Sequence, residues 1–61
     1  MITKKESKEI SELFNRILVD KLMITSAFEK DNQEDVRFWM NKHNETALEL
    51  NEKFKIDVVM Y

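Results

Sequence analysis

Lys30-Asp31-Asn32-Gln33 is the stretch that decides the fold. It carries no apolar residue, and it separates two long segments in which apolar residues recur at helical spacing. Asp and Asn tolerate the left-handed backbone better than most residues, and both cap helices. This matters in a chain of 61 residues that contains no glycine and no proline. Those two residues together make up about 12% of an average protein. Without them, tight strand turns and glycine-rich phosphate loops are excluded. The spacing predicts one turn at 31–32, with Asn32 or Asp31 capping a second helix. A loop this short makes the flanking helices antiparallel neighbours.

Upstream of the turn, a helix is predicted from about Lys4 to about Lys30. Thr3 and Glu6 have the spacing of a capping box, in which each side chain satisfies a free backbone N–H. Ile10, Leu13, Phe14, Ile17, Leu18, Ile24 and Phe28 cover one half of this helix at 100° per residue. Glu12, Arg16 and Asp20 form an i,i+4 charge ladder expected on the opposite side. Downstream, the second helix is predicted from about Gln33 to about Lys55, with Glu34 and Asp35 favoured in its first turn by the helix dipole. Val36, Met40, His43, Ala47, Leu50 and Phe54 recur at spacings of 4, 3, 4, 3 and 4, the seam of a heptad pattern, and Trp39 widens it. Residues 56–61, Ile-Asp-Val-Val-Met-Tyr, form an apolar tail with β-branched character whose alternatives are to extend the helix, to fray or to pair as a strand; its apolar residues are expected to dock on something.

With the turn centred at 31–32, residue i of the first helix lies roughly level with residue 63 − i of the second, to within a residue. Ile17 then faces Ala47, and Phe14 faces Leu50. The same register sets Lys21 level with His43, a candidate polar layer within the seam. A polar layer serves as a register device, and a histidine in it can also respond to pH.

A chain of this length forms one domain and usually needs a staple. It has no cysteine and one histidine, so disulfides and ordinary zinc sites are excluded. Position 40, where a di-metal bundle would carry Glu before His43, is methionine. No metal, cofactor or small-molecule substrate is expected. Self-association is the remaining staple. Val19, Met23 and Ala27 form a second apolar strip on the first helix, and Phe38 and Leu48 leave the seam of the second. A single hairpin would leave them in water, so an all-α hairpin dimerising into a four-helix bundle is expected.

The formal net charge of −2 argues against generic nucleic-acid binding and against anionic membranes. No run approaches the roughly 20 apolar residues of a membrane span. No apolar stretch follows Lys4 and Lys5, so no signal peptide is expected and a cytoplasmic location is. Abundant Lys, Asn, Ile and Glu fit a low-GC bacterium or its phage.

These readings point to a small non-enzymatic interaction protein, a regulator, inhibitor or adaptor that docks a helical face on a protein partner. Val19, Met23, Phe38 and Leu48 are the expected contact residues, with Val58, Val59 and Tyr61 of the tail. The alternative is a nucleic-acid-binding regulator, resting on Lys4, Lys5 and Lys8 with Arg16, Lys21 and Arg37. Through Thr3-Lys4-Lys5, the glycine-free turn and the seam at His43, the architecture resembles the plasmid copy-number regulators of the Rop type. That resemblance implies a dimeric bundle that binds paired RNA loops. Ile10 and Leu18 flank Phe14 where an RNA-reading face would be polar, so the RNA role is not carried over.

Overall fold

The computed structural model describes residues 2–61. Helix α1 spans Lys4–Glu29 and helix α2 spans Gln33–Phe54, packed as a hairpin. The molecule measures 44 × 16 × 13 Å.

Side chains and backbone close each helix end. At the start of α1, the Glu6 amide donates to Thr3 Oγ1 at 3.1 Å and the Thr3 amide donates to Glu6 Oε1 at 3.2 Å. The capping box is complete. At its end, Asp31 takes the left-handed conformation with φ 54°. The Asn32 amide then reaches the Ala27 carbonyl at 2.9 Å and the Asp31 amide reaches that of Phe28 at 3.0 Å. This is a Schellman closure with Asp where glycine is usual. Asn32 caps α2 by accepting from the Asp35 amide at 3.2 Å. Each helix ends one residue before its expected limit, because Lys30 and Lys55 are the capping residues.

The seam of α2 follows its predicted heptad spacing. His43, Ala47 and Leu50 are buried, and Val36, Met40 and Phe54 are half-buried. The seam of α1 differs from the predicted face. Its inward residues are Ile10, Leu13, Ile17, Asp20, Ile24 and Ala27, spaced 3, 4, 3, 4 and 3. Phe14, Leu18 and Phe28 are exposed by 39%, 60% and 61%, while Ala27, expected outside the main face, is buried. Two helices touch along a stripe narrower than half a cylinder. The contact follows the heptad line through Asp20 and bypasses the larger side chains beside it. Asp20 is therefore inside, away from the outer charge ladder expected of it.

The register agrees with the predicted one to within a residue. Lys53 Nζ bridges from α2 to Glu9 Oε1 at 3.1 Å, and 9 and 53 sum to 62. Hydrogen bonds that the Lys53 ammonium donates to Glu9 and then to Glu49 hold it above its ordinary pKa. The pair is solvent-exposed and contributes little to stability.

The tail folds back as a strap. Lys55 is left-handed with φ 58°, a conformation that costs a non-glycine residue about 1 kcal/mol. From there the chain runs back along α2 in extended form. Ile56 and Val58 pack against Leu13, Ile17 and Leu50, while Asp57 and Val59 face outward. Asn51 Nδ2 donates to Asp57 Oδ1 at 2.8 Å. Asn44 donates to the Tyr61 carbonyl at 3.1 Å and accepts from the Tyr61 amide at 2.9 Å. One side-chain amide thus satisfies both backbone groups of Tyr61, as a neighbouring strand would.

Leu50 is fully buried between the helices and the strap. Leu50→Ala is expected to cost about 2–5 kcal/mol, enough to unfold so small a core; loss of helical circular dichroism at 25 °C is the measurement. Asn44→Ala is expected to keep the helices and release the strap. Amide exchange at Tyr61 then speeds up by at least about tenfold, as loss of roughly 1.4 kcal/mol of protection requires.

Candidate functional site

The hairpin has two unlike sides. Asn44 and Asn51, which hold the strap, stand about 160° around α2 from Lys42 and Glu49. The strap therefore covers one side, here called the back. The front carries an open groove of about 470 Å³ lined by Asn15, Arg16, Val19 and Asp20 of α1 and Lys42, Glu45, Thr46 and Glu49 of α2.

Its floor is polar. Asp20 is only 6% exposed and Thr46 is buried beside it. The Thr46 hydroxyl donates to the Lys42 carbonyl at 3.1 Å, which leaves its oxygen lone pairs free to accept. Among the described residues Asp20 makes no ion pair within 4 Å and no side-chain hydrogen bond. Burial raises its carboxyl pKa above the ordinary 3.8, and attraction from His43, Lys42 and Arg16 opposes part of that rise.

Behind this floor lies His43, fully buried in the seam. Its Nε2 lies 2.7 Å from the Val59 carbonyl. A carbonyl can only accept, so Nε2 carries the proton. The ring also packs edge-on against Tyr61, with centroids 4.9 Å apart. Nδ1 is buried without a hydrogen-bond partner, which costs about 1–3 kcal/mol relative to a satisfied nitrogen. His43 thus joins the layers: the strap behind, the seam around it and the acidic floor in front.

The expected partner of His43 in this layer, Lys21, is exposed. Asp20 takes the place, and 20 and 43 sum to the expected 63. The heptad line of α1 passes through residue 20, and residue 21 stands 100° away. The signal was the spacing from Ile17 to Ile24, which only residue 20 or 21 can bridge.

The expected contact residues divide between the two sides. Val19 lines the front groove, and Met23 lies one turn further along the same flank. Phe38 lies next to the groove wall, its ring centroid 5.5 Å from Lys42 Nζ and 5.1 Å from the Trp39 ring. Leu48 lies on the back, one turn from both Asn44 and Asn51. Val58 is half-buried against the core, whereas Val59 is 87% exposed and Tyr61 is exposed around its docked ring. The basic residues do not gather into one stripe: Arg16 lines the groove, and Lys21 stands about 140° from it around α1. Among the described residues, no cluster of metal-ligating side chains is present and no helix is long and apolar enough to cross a membrane.

A carboxyl whose folded pKa lies above its unfolded value opposes folding when ionised. The dilute hairpin should therefore gain stability as pH falls through the folded pKa of Asp20 towards the ordinary 3.8, and the gain levels off below that value. Asp20→Asn removes the charge and keeps the shape. In dilute solution it is expected to raise Tm at about pH 7, with the difference shrinking towards about pH 4. Thermal melts across this range check it, and a lower Tm for the variant at neutral pH contradicts it.

Comparison of the chain with protein-family models, with curated proteins and with solved structures finds no match.

Proposed function

We propose that the chain is a small non-enzymatic interaction protein, a regulator, inhibitor or adaptor, that works as a dimeric four-helix bundle. The observation carrying this reading is the imbalance between core and surface. The buried apolar residues are Leu13, Ile17, Ile24, Ala27, Ala47 and Leu50, two of them alanine. Large apolar side chains stay exposed on both sides, including Val19, Met23 and Phe38 in front and Leu48 and Val59 behind. A core this small leaves a domain marginal on its own, and a second hairpin would bury more apolar surface.

The front is the side that a second copy covers. The back already has its own third layer, whereas the front has an open groove with Val19 on its wall and the exposed Met23 and Phe38 beside it. A face of 44 by 16 Å offers on the order of 700 Å², close to the roughly 800 Å² per partner of a standard stable interface. Leu48, Val59 and Tyr61 then remain outside the bundle, and this patch takes the protein partner. Apolar side chains around a docked tail segment suit a partner's groove.

Sedimentation over a concentration series tests the assembly. The unchanged chain is expected to form a dimer. Met23→Asp combined with Phe38→Asp is expected to give a helical monomer, while Leu48→Asp with Val59→Asp leaves the dimer intact. A chain that stays monomeric at high concentration, or a dimer that ignores the front substitutions, refutes the reading.

A further inference from the structure

The front groove carries both signs of charge: Arg16 and Lys42 against Asp20, Glu45 and Glu49. Among the described residues, only Glu49 of these five is engaged in an ion pair, with Lys53. Asp20 is buried without a partner yet opens into the groove. A surface that meets its own copy across a two-fold axis must be complementary to itself, and an unpaired buried carboxylate favours a cation placed over it.

Resting on the dimer proposed above, we infer that the second copy docks front to front with both turns at the same end, and that its Lys42 completes Asp20. The two-fold axis then runs along the hairpin, so each α1 lies over α2 of the second copy. Residue i of one copy lies over about residue 63 − i of the other. Asp20 lies over position 43, one residue from Lys42 on the front flank. Arg16 lies over position 47, between Glu45 and Glu49. Met23 lies over position 40, two residues from Phe38. Opposite charges meet, and the exposed Met23 and Phe38 come within two residues of each other.

The other two-fold arrangement sets the turns at opposite ends and stacks α1 on α1. Charge alone does not reject it, since Asp20 would lie over Arg16 and Lys42 over Glu49. The apolar residues decide against it. In that charge-paired register, residues of α1 summing to 36 set Met23 over the buried Leu13, where the exposed neighbour is Glu12. Pairs summing to 91 in α2 set Phe38 over Lys53. Both apolar side chains would then lie against charges, with the loss of apolar burial that implies.

Spin labels and charge exchange test the inference together. The chain has no cysteine, so Gln33→Cys gives one label per copy at the turn. Same-end docking predicts a label separation within about 30 Å, the helix layers being roughly 10 Å apart. Opposite-end docking predicts a separation near the 44 Å length of the hairpin, and that result overturns the inference. Asp20→Lys alone and Lys42→Asp alone are each expected to weaken the dimer by at least about tenfold, since each sets like charges together twice. Mixed in equal amounts they are expected to restore it, because both contacts become opposite in sign. Helical circular dichroism of each variant reports that it has folded, and the label distance needs neither substitution. A dimer that forms in the unchanged chain but gains nothing from mixing overturns the Lys42–Asp20 pairing and leaves the bundle standing. A chain that never dimerises removes both.

Discussion

Two antiparallel helices touch along one line, and the rest of this structure depends on that limit. A helix presents its apolar residues over an arc, but a single neighbour covers only a stripe of it. In α1 the stripe runs from Ile10 to Ala27 and leaves Phe14, Leu18, Val19 and Met23 beside it. The strap adds a third contact along the back and covers Leu13, Ile17 and Leu50 from that side. The front has no such cover. The asymmetry between the sides follows from the strap packing over one groove of the hairpin while the other stays open.

His43 holds the layers in register. A buried imidazole with one hydrogen bond to the strap and one unsatisfied nitrogen lowers stability relative to a leucine in the same place. It ties the strap to one position through the hydrogen bond between Nε2 and the Val59 carbonyl. Polar groups in helical seams fix register in this way at a cost in stability. Asp20 adds a second cost, a charge held in a poorly hydrated floor. In a chain with so small a core, these two residues together weigh on the stability of the single hairpin.

Much of the fold was legible in the residues alone. The polar break at Asp31 and Asn32, the capping box at Thr3 and Glu6, and the heptad spacing of α2 each have a local physical cause, and each stands as read. The face of α1 was read less well, because large apolar side chains outweighed spacing. Phe14, Leu18 and Phe28 drew the expected face to one side, whereas packing followed the strict heptad line through a charged residue. The same cause placed Lys21 in the layer that Asp20 fills. The return of the tail was hidden for a different reason. It turns on Lys55 in a conformation that lysine rarely takes, stabilised by packing of Ile56 and Val58 that no local pattern specifies. The division of the contact residues into a front and a back set emerged only once the strap showed which side was covered.

The pairing of Asn44 with Tyr61 has a consequence for solubility. Residues 56–61 combine four β-branched or aromatic side chains with one charge, the composition of segments that stack into fibrils. Docked on α2, the segment has its Val59 carbonyl held by the His43 ring and its Tyr61 backbone by Asn44, while Asn51 holds the Asp57 side chain. Its outer edge stays single, and Asp57 is the one charged residue on the segment that discourages strand-on-strand growth. A helical protein thus carries one latent β-edge: contacts to α2 occupy its inner side, and Asp57 guards the outer one.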